Sequence, residues 1–381
     1  MKIAIVQDEL VRKGGAEQVV LSFHAAFPDA PIYTLCYNPE TTYAEFKDCN
    51  IVTSMFNKFA NNDKSLKQYF FPFGVMAMKQ LDVTEYDVVL HSTTHCAKYV
   101  KVNDKALVIS YCHTPFRLAW QPSSYAEVNK SKNFKRILYN IVIRILKNVD
   151  YESAQRTDWF VTNSKEVVPR IQAAYNPSKE ITIINPPVKC ANFYVSNKQM
   201  DYYLVVSRFE SYKKVDLVVR AFNQMPDKQL LIVGHGSMEE ELKRIAHKNI
   251  TFRKGLNSKE LSQTYAECKA LIFPQHEDYG ITPLEANASG RPVIAYGLGG
   301  VKDTMIPYIN DSEKATALFF TEQSIECIIN AVKRFENLSF DPAFIRAHAE
   351  KFDESIFVQR IQSFVKNKYC ALNTQLDSTM L

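Results

Sequence analysis

The stretch His276-Glu277-Asp278-Tyr279-Gly280-Ile281-Thr282-Pro283-Leu284-Glu285 holds two glutamates at 277 and 285 with a glycine between them. The apolar run Ala270 to Phe273 precedes it and reads as a short buried strand ending at Pro274. Pro283 to Ser289 reads as a helix with Pro283 in its first turn, where a missing N–H costs nothing. Strand, loop and helix N-terminus in that order offer backbone N–H groups and the positive end of a helix dipole to an anion. Gly280 lets the backbone come close to a ligand. Glu277 lies in the loop and Glu285 in the first helical turns, so both can face one crevice. Such a pair suits a hydroxyl-rich ligand, a sugar and a ribose. The competing structural reading is that Glu285 only complements the dipole and Glu277 is solvated.

The segments on either side extend this unit. Tyr203-Leu204-Val205-Val206-Ser207-Arg208 reads as the opening strand of an α/β domain, with Lys213 on the loop leaving it. Leu230 to Val233, ended by Gly234-His235-Gly236, and Ile250 to Arg253 are further strands. Pro292 to Ala295, followed by Gly297-Leu298-Gly299-Gly300, and Leu318 to Phe320 complete the set. Arg208 and Lys213 at a strand's carboxyl end make a diphosphate clamp if they face the helix N-terminus after Pro283, and a solvated surface if they do not. Helices are predicted over Ser324–Phe335, Pro342–Lys351 and Ser355–Tyr369, with a polar, frayed tail from Ala371.

The first half of the chain repeats the pattern. Ile3 to Val6 is a central parallel strand by its unbroken apolar run. It leads into Gly14-Gly15-Ala16-Glu17 and a helix carrying Val19, Val20, Leu21, Phe23 and Ala26. Strand, glycine pair and helix are a phosphate-approach unit or a plain turn; the pair is not G-x-G-x-x-G, so no dinucleotide claim follows. Ile32–Leu35, Asp87–His91, Leu107–Tyr111, Trp159–Thr162 and Ile181–Ile184 are strand candidates separated by helical stretches, which gives a parallel sheet covered on both faces. His113 directly follows one of these strands, where ligands of open α/β sheets gather. Asn185-Pro186-Pro187-Val188 breaks the alternation and marks a domain boundary.

Two segments look unlike core. Phe56 to Met78 mixes Lys58, Lys64 and Lys67 with Tyr69-Phe70-Phe71-Pro72-Phe73. Lys130 to Lys147 reads as an amphipathic helix, with Phe134, Ile137, Leu138, Ile141 and Ile145 at helical spacing and Lys132, Lys135, Arg136, Arg144 and Lys147 among them. It fits either a helix lying on an anionic membrane or a surface helix packed on its own domain.

Composition sets the class. With 381 residues, 46% hydrophobic and 23% charged, the chain has room for two domains. A net charge of +5, from 46 basic and 41 acidic residues, is too mild to indicate nucleic acid but tolerates anionic ligands or an anionic membrane face. The eight cysteines form no C-x-x-C pair and no zinc-spaced cluster with histidine. With no signal peptide, they are expected as reduced thiols in a cytoplasmic protein.

These residues resemble the retaining glycosyltransferases of family 4, over roughly Lys2 to Lys368. The resemblance is carried by Gly14-Gly15-Ala16-Glu17, His113-Thr114-Pro115, Asn163-Ser164, Arg208 with Lys213, and Glu277-x7-Glu285 followed by Gly290-x-Pro292-Val293. A narrower likeness, to the WbaZ-like mannosyltransferases of O-antigen assembly, rests on Tyr111 to Arg117 with Trp120, on Asn163-Ser164 with Val168 and Arg170-Ile171, on Pro186-Pro187-Val188, and on Phe319-Phe320 with Glu322-Gln323-Ser324.

The resemblance implies a GT-B fold, two Rossmann-like α/β domains facing each other across a cleft. Residues 1–188 would form an acceptor-binding domain and 189–350 a nucleotide-sugar-binding domain, and the C-terminal helix in 351–381 would pack back on the first. It implies a nucleotide-sugar donor, typically GDP-mannose, and a lipid-diphosphate-linked glycan acceptor such as mannosyl-GlcNAc-diphospho-undecaprenol, extended by α-1,3-mannose. It further implies that Gly14-Gly15 approaches the donor diphosphate, His113 contacts the transferred sugar, and Arg208 and Lys213 neutralise the leaving diphosphate. Glu277 would bind donor-sugar hydroxyls, Ile281 and Thr282 would offer backbone N–H groups to the phosphates, and Glu285 would hold the ribose. There are departures. Ser207 stands where a glycine usually precedes the Arg, Lys214 where one follows the Lys, and Val301-Lys302 follows Gly300 without the usual acidic residue.

No D-x-D triplet occurs in the sequence. The expectation is therefore a metal-independent reaction with no cofactor, in which fixed cations and a helix dipole do the electrostatic work. The expected location is the cytoplasmic side of the inner membrane, as a peripheral protein. Competing readings are a transferase of another sugar, with a UDP-glucose or UDP-GlcNAc donor, a sugar-nucleotide 2-epimerase of the same fold, and a non-catalytic nucleotide-sugar-binding protein.

Overall fold

The computed structural model describes residues 1–60, 62–124, 133–309 and 314–379. The chain forms two compact units, Met1–Pro186 with Phe357–Leu381, and Pro187–Ile356.

In the first unit the strands are β1 (Ile3–Gln7), β2 (Ile32–Thr34), β3 (Ile51–Thr53), β4 (Val88–Thr93), β5 (Leu107–Cys112), β6 (Trp159–Thr162) and β7 (Thr182–Ile183). They form one parallel sheet in the order β3-β2-β1-β4-β5-β6-β7. The order reverses between β1 and β4. Alternation along β1 divides the core. Ile3 and Ile5 pack with Val20, Phe23 and Tyr111 on one face, and Ala4 and Val6 with Val89, Met78 and Leu146 on the other. Strand β3, with half-buried residues at the sheet edge, is an element that the sequence pattern did not reveal, because three residues carry no period.

The last helix, Glu354–Thr379, completes this unit. Phe357, Ile361 and Val365, at four-residue spacing, are 2%, 0% and 0% exposed and pack in the face that holds Ile3 and Ile5. The Phe357 ring stacks on Phe23 at 5.9 Å, and Gln362 Nε2 donates to the Ala26 carbonyl at 2.7 Å. The expected frayed tail is helical to Thr379, since Ala371-Leu372 and the residues after them include no glycine or proline to stop it.

The second unit contains β8 (Tyr203–Val206), β9 (Leu230–Val233), β10 (Ile250–Arg253), β11 (Leu271–Phe273), β12 (Val293–Tyr296) and β13 (Ala317–Phe320). This sheet is also parallel, in the order β10-β9-β8-β11-β12-β13, reversing between β8 and β11. The unit starts one residue before Val188 and runs to Ile356, past the expected end at Glu350. The reason is local. Val188 N donates to the Phe352 carbonyl (2.9 Å) and Cys190 N to Asp353 Oδ2 (3.1 Å), so both ends of the unit are tied together.

The helix expected over Lys130–Lys147 is described from Asn133 to Ala154; Lys130 and Lys132 lie outside the described residues. Its inward side is not the isoleucine stripe. Leu146 and Asp150 are fully buried and Val142 and Val149 partly so, whereas Ile137, Leu138, Ile141 and Ile145 are 58%, 51%, 52% and 42% exposed. The buried carboxylate is compensated. Asp150 accepts hydrogen bonds from Tyr99 Oη (3.0 Å), Trp120 Nε1 (2.8 Å) and Tyr175 Oη (2.7 Å), and Lys98 Nζ lies 2.7 Å away. Removing one partner of such a pair leaves a buried charge uncompensated. Lys98→Met is expected to lower unfolding free energy in urea by about 3–5 kcal/mol. Lys101→Met, at an exposed pair with Asp82, is expected to change it by less than about 1 kcal/mol.

Candidate functional site

Strand order places the site of the second unit. Where an open parallel sheet reverses, the loops leaving neighbouring strands part and open a crevice at the carboxyl ends. Here β8 and β11 are those neighbours. The loop after β8 carries Arg208 and a short turn, Ser211–Lys213; the loop after β11 carries Gln275, His276 and Glu277. The two loops meet through Lys213, whose Nζ bonds Glu277 Oε1, an oxygen that also accepts from Gln275 Nε2 at 3.3 Å. Lys213 is only 9% exposed. The sequence-predicted cation and carboxylate are thus in direct contact. Arg208 is exposed and its Nη2 donates to Tyr212 Oη at 2.9 Å.

The helix after β11 spans Ile281–Ala288, two residues earlier than Pro283 suggested. Gly280 makes the earlier start possible. It caps the helix at φ +88°, and a Cβ there would lie 2.9 Å from the Phe273 ring. Ile281 and Thr282 become the first two helical residues, whose N–H groups have no acceptor within the helix, and Pro283 follows where it needs none. Glu285 is partly buried on this helix and accepts from Tyr265 Oη at 2.6 Å. Burial pushes its pKa up, and the tyrosine bond offsets part of that rise.

The Gly297–Gly300 loop supports Glu277 from behind. Gly300 N donates to the Glu277 carbonyl at 2.9 Å, and Cβ atoms at Gly299 and Gly300 would lie 2.3 Å from the Glu277 carbonyl oxygen and the Tyr279 Cα. The glycines shape the glutamate's backbone, while the acidic residue missing after Gly300 is replaced by buried Val301.

Gly14, Gly15 and His113 belong to the first unit. Gly14 is the N-cap of the helix Gly15–Ala26 and Gly15 is exposed. His113 follows β5 and is 9% exposed. Its Nε2 pairs with Ser92 Oγ at 2.9 Å, its carbonyl accepts from Asn163 Nδ2 at 3.0 Å, and its ring lies 5.0 Å from that of Tyr111.

The switch point of the first sheet is occupied by side chains that the sequence reading passed over. Asp8, just after β1, accepts from Thr94 N (2.5 Å), Thr94 Oγ1 (2.7 Å), Ala97 N (2.7 Å), His95 N (3.2 Å) and Thr93 Oγ1 (3.3 Å), all at or beyond the end of β4. Burial alone would raise the Asp8 pKa, but the facing His95 imidazolium and these bonds outweigh it and hold the carboxyl well below its usual range. Burial likewise opposes charge on His95, and the Asp8 carboxylate, 3.1 Å away, more than reverses this. Asp8, His95 and Cys96 stand close enough to share a metal ion. Yet the Asp8 oxygens are filled by protein donors, and burial pushes the Cys96 thiol up to about 12. The trio is a stitch across the switch point. Asp8-Glu9 after one strand and Thr93-Thr94-His95 after another were visible by the rule applied to His113. Tyr212 and Tyr265, which hold Arg208 and Glu285, had no such signal.

Comparison with known proteins follows the second unit closely. The family described as Glycosyl transferases group 1 matches residues 191–354. The second unit thus carries a group 1 glycosyltransferase domain. The chain is 23% identical to the alpha-1,3/1,6-mannosyltransferase ALG2 of Candida glabrata, over 83% of this chain and 80% of that protein. It is 25% identical to the O-antigen chain mannosyltransferase RfbU of Salmonella typhimurium, over 62% of this chain and 70% of that protein. Its fold is GT-B. Sucrose-phosphate synthase from Thermosynechococcus elongatus superposes with a TM-score of 0.72 at 16% identity, covering 97% of this chain and all of that one. Anabaena HepE, solved with UDP and glucose, gives 0.71 at 16% identity, covering 96% and 99%.

Glu17 lies beside the glycine pair and is 5% exposed, with Arg12 Nε 3.8 Å from its carboxylate. Burial raises its pKa to about 7, against the opposing pull of Arg12. Between the ordinary glutamate range and pH 7 the unfolded chain has released this proton while the folded one keeps it, so folding stability falls as pH rises through that window. Glu17→Gln is therefore expected to raise the melting temperature at pH 8 and to change it little at pH 4, measured by thermal unfolding at both pH values.

Proposed function

We propose that the glycosyltransferase moves mannose from GDP-mannose, with retention of the anomeric configuration and without a metal, onto a mannosyl-GlcNAc-diphospho-undecaprenol-type acceptor, forming an α-1,3 link in O-antigen assembly. The observation that carries the donor half is the array at the β8/β11 switch point: Arg208 and Lys213 on one loop, Glu277 on the other, and a capped helix N-terminus behind them. The recurrence of mannosyltransferases among the relatives supports the choice of sugar, and RfbU the choice of pathway.

In this mechanism the bond from the anomeric carbon to the diphosphate oxygen breaks through an oxocarbenium-like state. The acceptor hydroxyl arrives on the same face, forms the new glycosidic bond and passes its proton to the departing phosphate oxygen. Arg208, Lys213 and the amides of Ile281 and Thr282 take up the negative charge on the leaving group, the work that a bound cation would otherwise do. Glu277 accepts hydrogen bonds from hydroxyls of the transferred sugar and Glu285 from the ribose. In the first unit, Gly14-Gly15 gives close backbone approach to the diphosphate and His113, held by Ser92, is the side chain for the transferred sugar.

We also propose a peripheral position on the cytoplasmic face of the inner membrane. Among the described residues no helix is long and apolar enough to cross a membrane. Support for surface binding comes from the outward Ile137, Leu138, Ile141 and Ile145, among Lys135, Arg136, Arg144 and Lys147 on the same helix. Phe59, Phe73 and Met76, exposed by 77%, 61% and 56%, lie in the other segment that reads as apolar and basic.

Two experiments test these proposals. Purified protein is incubated with GDP-mannose, UDP-glucose or UDP-GlcNAc and a lipid-diphosphate glycan primer, with and without EDTA, and the lipid product is weighed by mass spectrometry. Mannose transfer that survives EDTA is expected, and Lys213→Ala or Arg208→Ala is expected to cut turnover by roughly 10²–10³. Near-normal turnover in both variants would remove the clamp assignment. In vesicle sedimentation the protein is expected to bind phosphatidylglycerol vesicles over phosphatidylcholine ones, and Ile141→Glu with Ile145→Glu to weaken binding by at least about tenfold.

A further inference from the structure

We infer that the Lys213–Glu277 ion pair makes the donor site discriminate against its own product, favouring the intact sugar nucleotide over the free nucleoside diphosphate. The inference rests on the donor reading given above and adds a property to it. The cation assigned to the diphosphate is bonded to the carboxylate assigned to the sugar. The two groups come from different loops, and both are largely shielded from water, with side-chain exposures of 11% and 22%. At that depth, charges a few ångströms apart interact strongly.

Any diphosphate that engages Lys213 must share or displace Glu277. It also brings negative charge to within a few ångströms of that carboxylate. Of the neighbours described, Gln275 Nε2 is what remains to Glu277 Oε1, at 3.3 Å, and it carries no charge. A ligand with a sugar attached offers hydroxyl donors to the carboxylate in exchange for the ammonium. A nucleoside diphosphate has only its ribose hydroxyls, which are assigned to Glu285, and bears one more ionisable phosphate oxygen, so at Glu277 it meets the repulsion without compensation. The carboxylate is therefore a selectivity element: neutral in its effect on the donor, unfavourable to the product, and a driver of product release once the glycosidic bond has formed.

Glu277→Gln keeps the shape and removes the charge. The measurement is calorimetric titration of the full chain with GDP, GDP-mannose, UDP and UDP-glucose, so that the base does not decide the outcome. For the nucleotide pair that binds, Glu277→Gln is expected to bind the nucleoside diphosphate about tenfold tighter than the unchanged protein, the scale of one charge at close range. It is expected to bind the sugar nucleotide no tighter, so the preference narrows or reverses, and product inhibition of transfer deepens. Equal tightening of both ligands, or no tightening of the diphosphate, would overturn the inference. Lys213→Ala separates that failure from failure of the donor reading. If it leaves diphosphate affinity unchanged, the cation does not hold the phosphate and the donor reading itself fails; if it weakens affinity while Glu277→Gln changes nothing, only the selectivity role fails. Circular dichroism of both variants confirms that they are folded.

Discussion

The reversal of strand order in each parallel sheet is the constraint from which the chemistry follows. Loops leaving strands on either side of a reversal diverge, and the gap exposes backbone N–H groups and strand ends that need partners. The two units meet that need differently. In the first, Asp8 reaches from the end of β1 across to the residues after β4 and takes five donors from them. In the second, Lys213 from the loop after β8 bonds Glu277 from the loop after β11 across the corresponding gap, side chain to side chain. A carboxylate locked by backbone amides belongs to the scaffold. A pair of side chains that can exchange partners is what a ligand site requires.

The backbone around that pair is prepared by residues whose side chains do little. Gly280 sets the helix start through its positive φ, and Gly299 with Gly300 lets the neighbouring loop close to within hydrogen-bond distance of Glu277. Tyr212 and Tyr265 then fix the long side chains of Arg208 and Glu285. Arg208, Lys213, Glu277 and Glu285 thus each have a side-chain partner.

Much of this was legible in the sequence where the signal is short-range. Continuous apolar runs identified the strands, and every strand candidate in the second half is a strand within two residues. Arg208, Lys213, Glu277 and Glu285 could be singled out because strand ends and helix starts are read locally. What was hidden is long-range or sub-periodic. Strand β3 is too short to show a period. The outward turn of Ile137 and Ile141 depends on Asp150 finding Lys98, Tyr99 and Tyr175 far away in the chain, so the buried side of that helix is chosen by a charge as well as by apolar contacts. The direct bond between Lys213 and Glu277 joins residues 64 positions apart, and no spacing rule announces it.

The helix that begins at Glu354 carries a different implication, about the order in which the molecule is made. Its Phe357, Ile361 and Val365 fill the same core face as Ile3 and Ile5, so the first unit needs chain from both ends of the sequence. During synthesis the intervening 187–356 region emerges complete and can fold while the earlier unit still lacks part of its interior. Until the helix from Glu354 leaves the ribosome, Phe23 and its neighbours remain without their cover. The nascent first unit therefore waits, with apolar surface open to chaperones, until Phe357, Ile361 and Val365 have been translated.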